Sequence, residues 1–207
     1  ITIVRGQDFP PYHFLDKDNR EQGFVIDIIR QAAKMTKIRV RFEQFPWSRC
    51  LKRVKSGQAD AMMNLFKTPE RETFLYFHDN IIAQETNSFF VRSSSTAAWN
   101  GDFTSISSLK LGTIRNYSYG KAFDQFTFPL KYKLETEQEL IKSLDHKRGD
   151  IIIGNKLTLQ IQLNHMKLDS HIRMLAPDVS SEPLYIGFSM AGGHEALSEK
   201  FSENLNR

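Results

Sequence analysis

Apolar positions along the first half of the chain switch between two periods. Ile1 and Ile3 recur two apart ahead of Arg5, the spacing of a short strand. Phe9-Pro10-Pro11-Tyr12 must then be a loop, because two prolines cannot sit in a β-ladder. Phe24, Ile28, Ala32 and Met35 recur at helical spacing, with Val25 and Ile29 widening the stripe. Ile38, Val40 and Phe42 alternate with Arg39 and Arg41 and predict a half-buried strand. Pro46 opens a helix through Cys50, Leu51 and Val54, and Gly57 suits its C-terminal stop. Ala59 to Met63 reads as a buried strand.

The second half repeats this grammar. Leu109 to Ile114 is a strand candidate. Thr136 with Glu139 makes a capping-box pattern ahead of Leu140, Ile141 and Leu144. Gly149 is expected to end that helix, and Asp150 to Ile153 to form a buried strand. His171 to Leu175 and Leu184 to Phe188 predict two more strands, and Leu197, Phe201 and Leu205 a final amphipathic helix. The runs Ser88 to Val91 and Leu184 to Phe188 are the expected crossings between two halves, with a small polar loop, Arg92 to Ala98, after the first.

One internal echo stands out. LKRVKSGQADAMMN (Leu51 to Asn64) and IKSLDHKRGDIIIGN (Ile141 to Asn155) share helix, basic turn, glycine, aspartate, apolar strand and asparagine. Any helix-to-strand turn carries some of this grammar. Two α/β lobes, each with a strand ending near a shared cleft, carry all of it. Ligands of open α/β sheets bind beyond the carboxyl ends of strands, which makes Asn64 and Asn155 candidate cleft residues.

Composition narrows the function classes. The 207 residues are 40% hydrophobic and 25% charged, which suits one large domain or two small ones. The net charge of +4 is scattered, and no basic run carries interleaved aromatics, so nucleic-acid binding is not expected. No stretch approaches the roughly 20 apolar residues of a membrane span. The chain opens on strand-like alternation rather than a basic-then-apolar leader, so any export signal is expected to have been removed. Cys50 is the single cysteine. The six histidines form no paired metal motif, and neither a nucleophile elbow nor a phosphate-binding glycine loop occurs. No metal, cofactor or catalytic residue is expected.

Anion recognition has better candidates. Thr68 is a good helix N-cap with Pro69 at the first helical position, and Arg71 sits in that first turn. Arginine there opposes the helix dipole. It is either an exposed surface residue or a group kept for a carboxylate, which a guanidinium takes through two parallel hydrogen bonds. Asn116-Tyr117-Ser118-Tyr119-Gly120 could present N–H groups and the Ser118 hydroxyl at a helix start, or be an ordinary polar turn. Phe9, Tyr12 and Trp47 lie in or beside loops and could wall a small-ligand pocket. Trp47 could equally pack within its own lobe.

An ordered set of motifs then resembles extracellular solute-binding family 3, the amino-acid-type periplasmic binding proteins of type II fold. It comprises Phe9-Pro10-Pro11-Tyr12, Gly23-Phe24-Val25-Ile26-Asp27, Pro46-Trp47, Ser56-Gly57-Gln58-Ala59-Asp60-Ala61 and Thr68-Pro69-Glu70-Arg71, with Phe74 and Phe77 downstream. Leu111-Gly112-Thr113, Gly149-Asp150 and Tyr185-Ile186-Gly187-Phe188 follow in order. The resemblance implies an α/β, two-lobe fold, each lobe a mixed, mostly parallel sheet flanked by helices. Lobe 1 would be residues 1–91 and 185–207, and lobe 2, inserted, residues 92–184.

The family's cleft arginine falls on Arg71, its first-loop aromatic on Phe9, its wall residue on Trp47 and its strand-end polar contact on Asn64. Tyr12 and Phe66 join that wall. Second-lobe contacts fall on Tyr117, Ser118 and Asn155. Amino-acid binders usually carry an acid where this chain has Asn155, and an amide cannot supply that charge to an ammonium group. The family's pattern also runs on past Arg207. The implied function is binding of a small polar, carboxylate-bearing solute, an amino acid or organic acid, in an interlobe cleft for delivery to an inner-membrane ABC permease. The implied protein is periplasmic, monomeric and not an enzyme. Two other readings stay open: the extracellular sensing domain of a signalling receptor, and a cyclohexadienyl dehydratase-like enzyme.

Overall fold

The computed structural model describes residues 1–205. The chain divides into two compact units, one of Ile1–Gln84 with the segment from Pro183 onward, the other of Glu85–Glu182.

The first unit opens with β1 (Thr2–Arg5), followed by a small hairpin of β2 (Phe14–Leu15) and β3 (Glu21–Gln22). Then come α1 (Phe24–Thr36), β4 (Arg41–Gln44), α2 (Trp47–Lys55) and β5 (Ala61–Leu65). α3 (Pro69–Glu72) and β6 (Leu75–Tyr76) complete this stretch. β1 pairs in parallel with β4 on one side and β5 on the other. β5 is buried along its whole length, as a central strand is, and Asn64 is its one polar residue. α1 buries Val25, Ile26, Ile29, Ala32 and Ala33 in the core with Ile3, Ala61 and Met63. Phe24 and Met35, expected on that buried face, are 40% and 36% exposed. The apolar stripe is broad enough for the helix to rotate by one residue and bury the β-branched and alanine side.

β7 (Ala83–Arg92) carries the chain into the second unit, with the changeover inside the strand. A single 3-10 turn at Phe103–Ile106 precedes β8 (Leu111–Ile114), α4 (Lys121–Gln125) and β9 (Lys131–Leu134). α5 (Glu137–Asp145), β10 (Ile151–Asn155), α6 (Lys156–Met166) and β11 (Ile172–Met174) follow. β8 pairs in parallel with β9 and β10, while β7 runs antiparallel to β10 and β11. Two cores flank this sheet. One is aromatic, with Phe89, Trp99, Phe123 and Phe128; the other is aliphatic, with Leu140, Ile141, Leu144, Ile152 and Leu159. The returning strand, β12 (Ser180–Ser189), runs antiparallel to β5 and β6, and α7 (Glu195–Leu205) packs Phe201 on Phe188.

The sequence echo has a structural counterpart. Asp60 accepts a hydrogen bond from the Thr2 N–H at 2.6 Å, fastening the start of β5 to the start of β1. Asp150 accepts from the Lys110 N–H at 3.0 Å and so fastens β10 to the approach of β8. The helix before each strand ends differently. Gly57 takes the left-handed position after α2, at φ +73°. After α5 that position is held by Lys147, at φ 58°, rather than by Gly149 as expected. Gly149 serves another need: a Cβ there would collide with the Tyr132 ring.

Candidate functional site

Six of the expected residues lie in the first unit. β5 carries Asn64 and, just beyond its end, Phe66, both buried. Thr68 caps α3 as its type predicts, its hydroxyl accepting from the Arg71 N–H at 3.3 Å, with Pro69 beginning the helix. That turn sets the side chain of Arg71, which is only 6% exposed, so the surface alternative does not hold. The Arg71 Nη1 donates to the Phe66 carbonyl at 3.0 Å. Its guanidinium also lies over the Trp47 ring, 5.5 Å from the centroid. Trp47 is the first residue of α2 and is buried. The main chain and an aromatic face therefore hold this cation in one place.

Phe9 and Tyr12 pack on each other, with ring centroids 5.0 Å apart. Tyr12 also packs on Phe24 and donates its hydroxyl to the Gln84 carbonyl at 2.8 Å. Both belong to the core of this unit.

Two further residues of this unit were not foreseen. Arg5, read only as the end of a strand, is fully buried. Its Nε lies 2.8 Å from Glu21, and its Nη1 reaches Asp8 at 3.2 Å and the Gly6 carbonyl at 3.1 Å. The signal was present: a cation closing an apolar strand at its carboxyl end. His13, in the loop after Tyr12, is 2% exposed. Its Nε2 lies 3.1 Å from the Gln7 carbonyl, and its Nδ1 2.6 Å from the Asn64 Nδ2. Burial and the Arg5 charge push its pKa down to about 3, so the ring is neutral at physiological pH.

The other three expected residues lie in the second unit, each already engaged. Asn155 ends β10 and caps α6, its Oδ1 accepting from the Thr158 N–H at 2.9 Å. The Ser118 hydroxyl, expected to face an anion, is held by the Asp124 carboxylate. Tyr117 donates its hydroxyl to Glu137 Oε1 at 3.2 Å. Glu137 is 4% exposed, and burial raises its pKa to about 7. Burial, with Glu137 alongside, keeps the Tyr117 phenol protonated well above its usual range.

The model of the bacterial extracellular solute-binding proteins, family 3, matches residues 1–205. The chain belongs to that family. Individual proteins extend the likeness at low identity. The "Probable histidine-binding protein" of Neisseria gonorrhoeae is 19% identical over 99% of this chain and 76% of its own. Among solved structures, a histidine kinase sensor domain with similarity to periplasmic binding proteins superposes with a TM-score of 0.87. It is 18% identical, over 99% of this chain and 88% of that one. The substrate-binding protein of an amino acid ABC transporter gives 0.84 at 17% identity, over 100% of this chain and 91% of that one. These structures share the two-lobe type II fold expected from the motifs.

Proposed function

We propose that this family 3 protein captures a small carboxylate-bearing solute, an amino acid or organic acid, and that Arg71 is the group that grips the carboxylate. The observation that carries this reading is the buried Arg71 guanidinium, fixed by the Phe66 carbonyl and the Trp47 face. A preset fork of N–H donors with little water around it suits a planar carboxylate. Phe9, Tyr12, Phe66 and Trp47 supply apolar walls, and Asn64 a polar contact. The amino-acid specificity named for the relatives supports the choice of solute class.

On this reading the protein delivers its solute to an ABC permease from the periplasm, acts as a monomer, and catalyses no reaction. Calorimetric titration with amino acids and organic acids tests it. Arg71→Ala should weaken the best wild-type binder by at least about a hundredfold, the scale for truncating a buried charged anchor. Unchanged affinity would remove Arg71 from the site.

A second reading is favoured by the sensor-domain likeness: the same capture would report solute to a signalling protein. A kinase or cyclase encoded in the same reading frame supports that role. An adjacent permease gene, with solute uptake lost on deletion of this chain, supports delivery.

A further inference from the structure

Asn64 sits at φ 55°, the left-handed conformation that asparagine tolerates better than other side chains bearing a Cβ. Its amide is buried, and its two ends are not equivalent. A carbonyl oxygen only accepts hydrogen bonds, so the His13 Nε2 that meets Gln7 O must carry the ring proton. A neutral ring then leaves Nδ1 as a lone pair, and the group facing it at 2.6 Å must be a donor. That group is the Asn64 NH2. The amide is thereby fixed in one of its two orientations, with the oxygen turned away from His13. Among the described residues, the buried Asn64 Oδ1 has no hydrogen-bond partner. A buried acceptor left unmet is costly, and it discriminates strongly between partners that donate and partners that do not.

We propose that His13 is a positioning residue that turns the Asn64 amide so that its oxygen faces the solute, and that the solute carries an N–H donor beside its carboxylate. This rests on the reading of Arg71 as the carboxylate anchor, and it names the other half of the ligand. It also answers the missing acid at Asn155. Recognition of an amine is moved to the first unit, where a neutral acceptor held by a neutral ring does the work.

The test is a pair of affinities. Wild-type protein is titrated with each standard L-amino acid and with its deaminated counterpart, such as L-histidine against imidazolepropionic acid. The expected result is preference for the amine-bearing member by at least about tenfold, the scale of one buried hydrogen bond. Asn64→Leu and His13→Phe should abolish that preference. Asn64→Asp, which keeps an acceptor, should retain it. His13→Gln, whose amide oxygen can receive the Asn64 NH2, should restore most of it. A residue that merely filled space would be replaced as well by phenylalanine as by glutamine. Nitrogen NMR of His13 should report Nε2 protonated and Nδ1 bare from pH 5 to 8. A protonated Nδ1, or a wild-type protein that binds both members of every pair alike, overturns the proposal and leaves Arg71 as the anchor. If Arg71→Ala binds as wild type while Asn64→Leu still loses the preference, Arg71 is overturned as the anchor and only the Asn64 contact with the N–H donor is upheld. Failure of every probe to bind overturns both.

Discussion

At the scale of single residues, the buried ionisable groups make the sharpest predictions. Glu137 is an acid whose folded pKa, about 7, lies above its ordinary value of 4.5. Between those values the folded protein holds a proton that the unfolded chain releases. Stability from this group is therefore fully present below about pH 4.5 and is lost as pH rises through 7. Glu137→Gln keeps the shape and an acceptor for Tyr117 but cannot ionise. The variant should gain on the order of 2 kcal/mol over wild type between pH 5 and pH 8, read from urea midpoints. His13 shifts the other way, being a base with its folded pKa lowered from 6.5 to about 3. Its contribution is present above about pH 6.5 and lost as pH falls toward 3. It is common to both proteins and cancels from the comparison.

At the scale of elements, some features follow from neighbours that no local pattern reveals. Tyr132, on β9, places its hydroxyl between Gly112 and Gly149 and bonds it to Ser143 at 2.8 Å. A Cβ on Gly112 would lie 2.7 Å from that oxygen, and one on Gly149 closer still. Gly149→Ala should thus cost about 1–3 kcal/mol in chemical denaturation, the usual range for overpacking, although its backbone is not in the left-handed region. The sequence identified this glycine but assigned it the wrong task, because a stop signal and a packing gap look alike in one dimension. The Thr68 and Thr136 caps were legible because capping is local chemistry; the Thr136 hydroxyl accepts from the Glu139 N–H at 3.1 Å. α6 was not foreseen at all. Leu157, Leu159, Ile161 and Leu163 alternate two apart, a strand period, yet the segment is a helix capped by Asn155 that buries Leu159 and Leu163. Of the candidate site, Arg71 was singled out as a cation set against the dipole in a helix's first turn, and Trp47 as an aromatic beside a loop; both are buried. Arg5 was signalled only as a cation closing an apolar strand and His13 not at all, since their contacts with Glu21, Gln7 and Asn64 arise only on folding.

At the scale of the whole molecule, two units built on the same turn grammar share one chain, and no helix among the described residues is long and apolar enough to cross a membrane. A solute at a hundredfold excess over its Kd should add about 3 kcal/mol to the folded state. Its melting temperature should rise accordingly in a dye-monitored thermal scan, while Arg71→Ala should melt at one temperature with or without solute. Such an assay can be made optical at little risk to the fold. The chain's single thiol, Cys50, is fully buried, donates to the Arg5 carbonyl at 3.0 Å, and is pushed by burial up to about 12 in pKa. Maleimide should therefore leave the native protein unmodified for hours at pH 7 and react fully in guanidinium. A fluorophore attached through one new surface cysteine would label that position alone, turning the chain into a reporter of its own cargo without removing any native side chain from its interior.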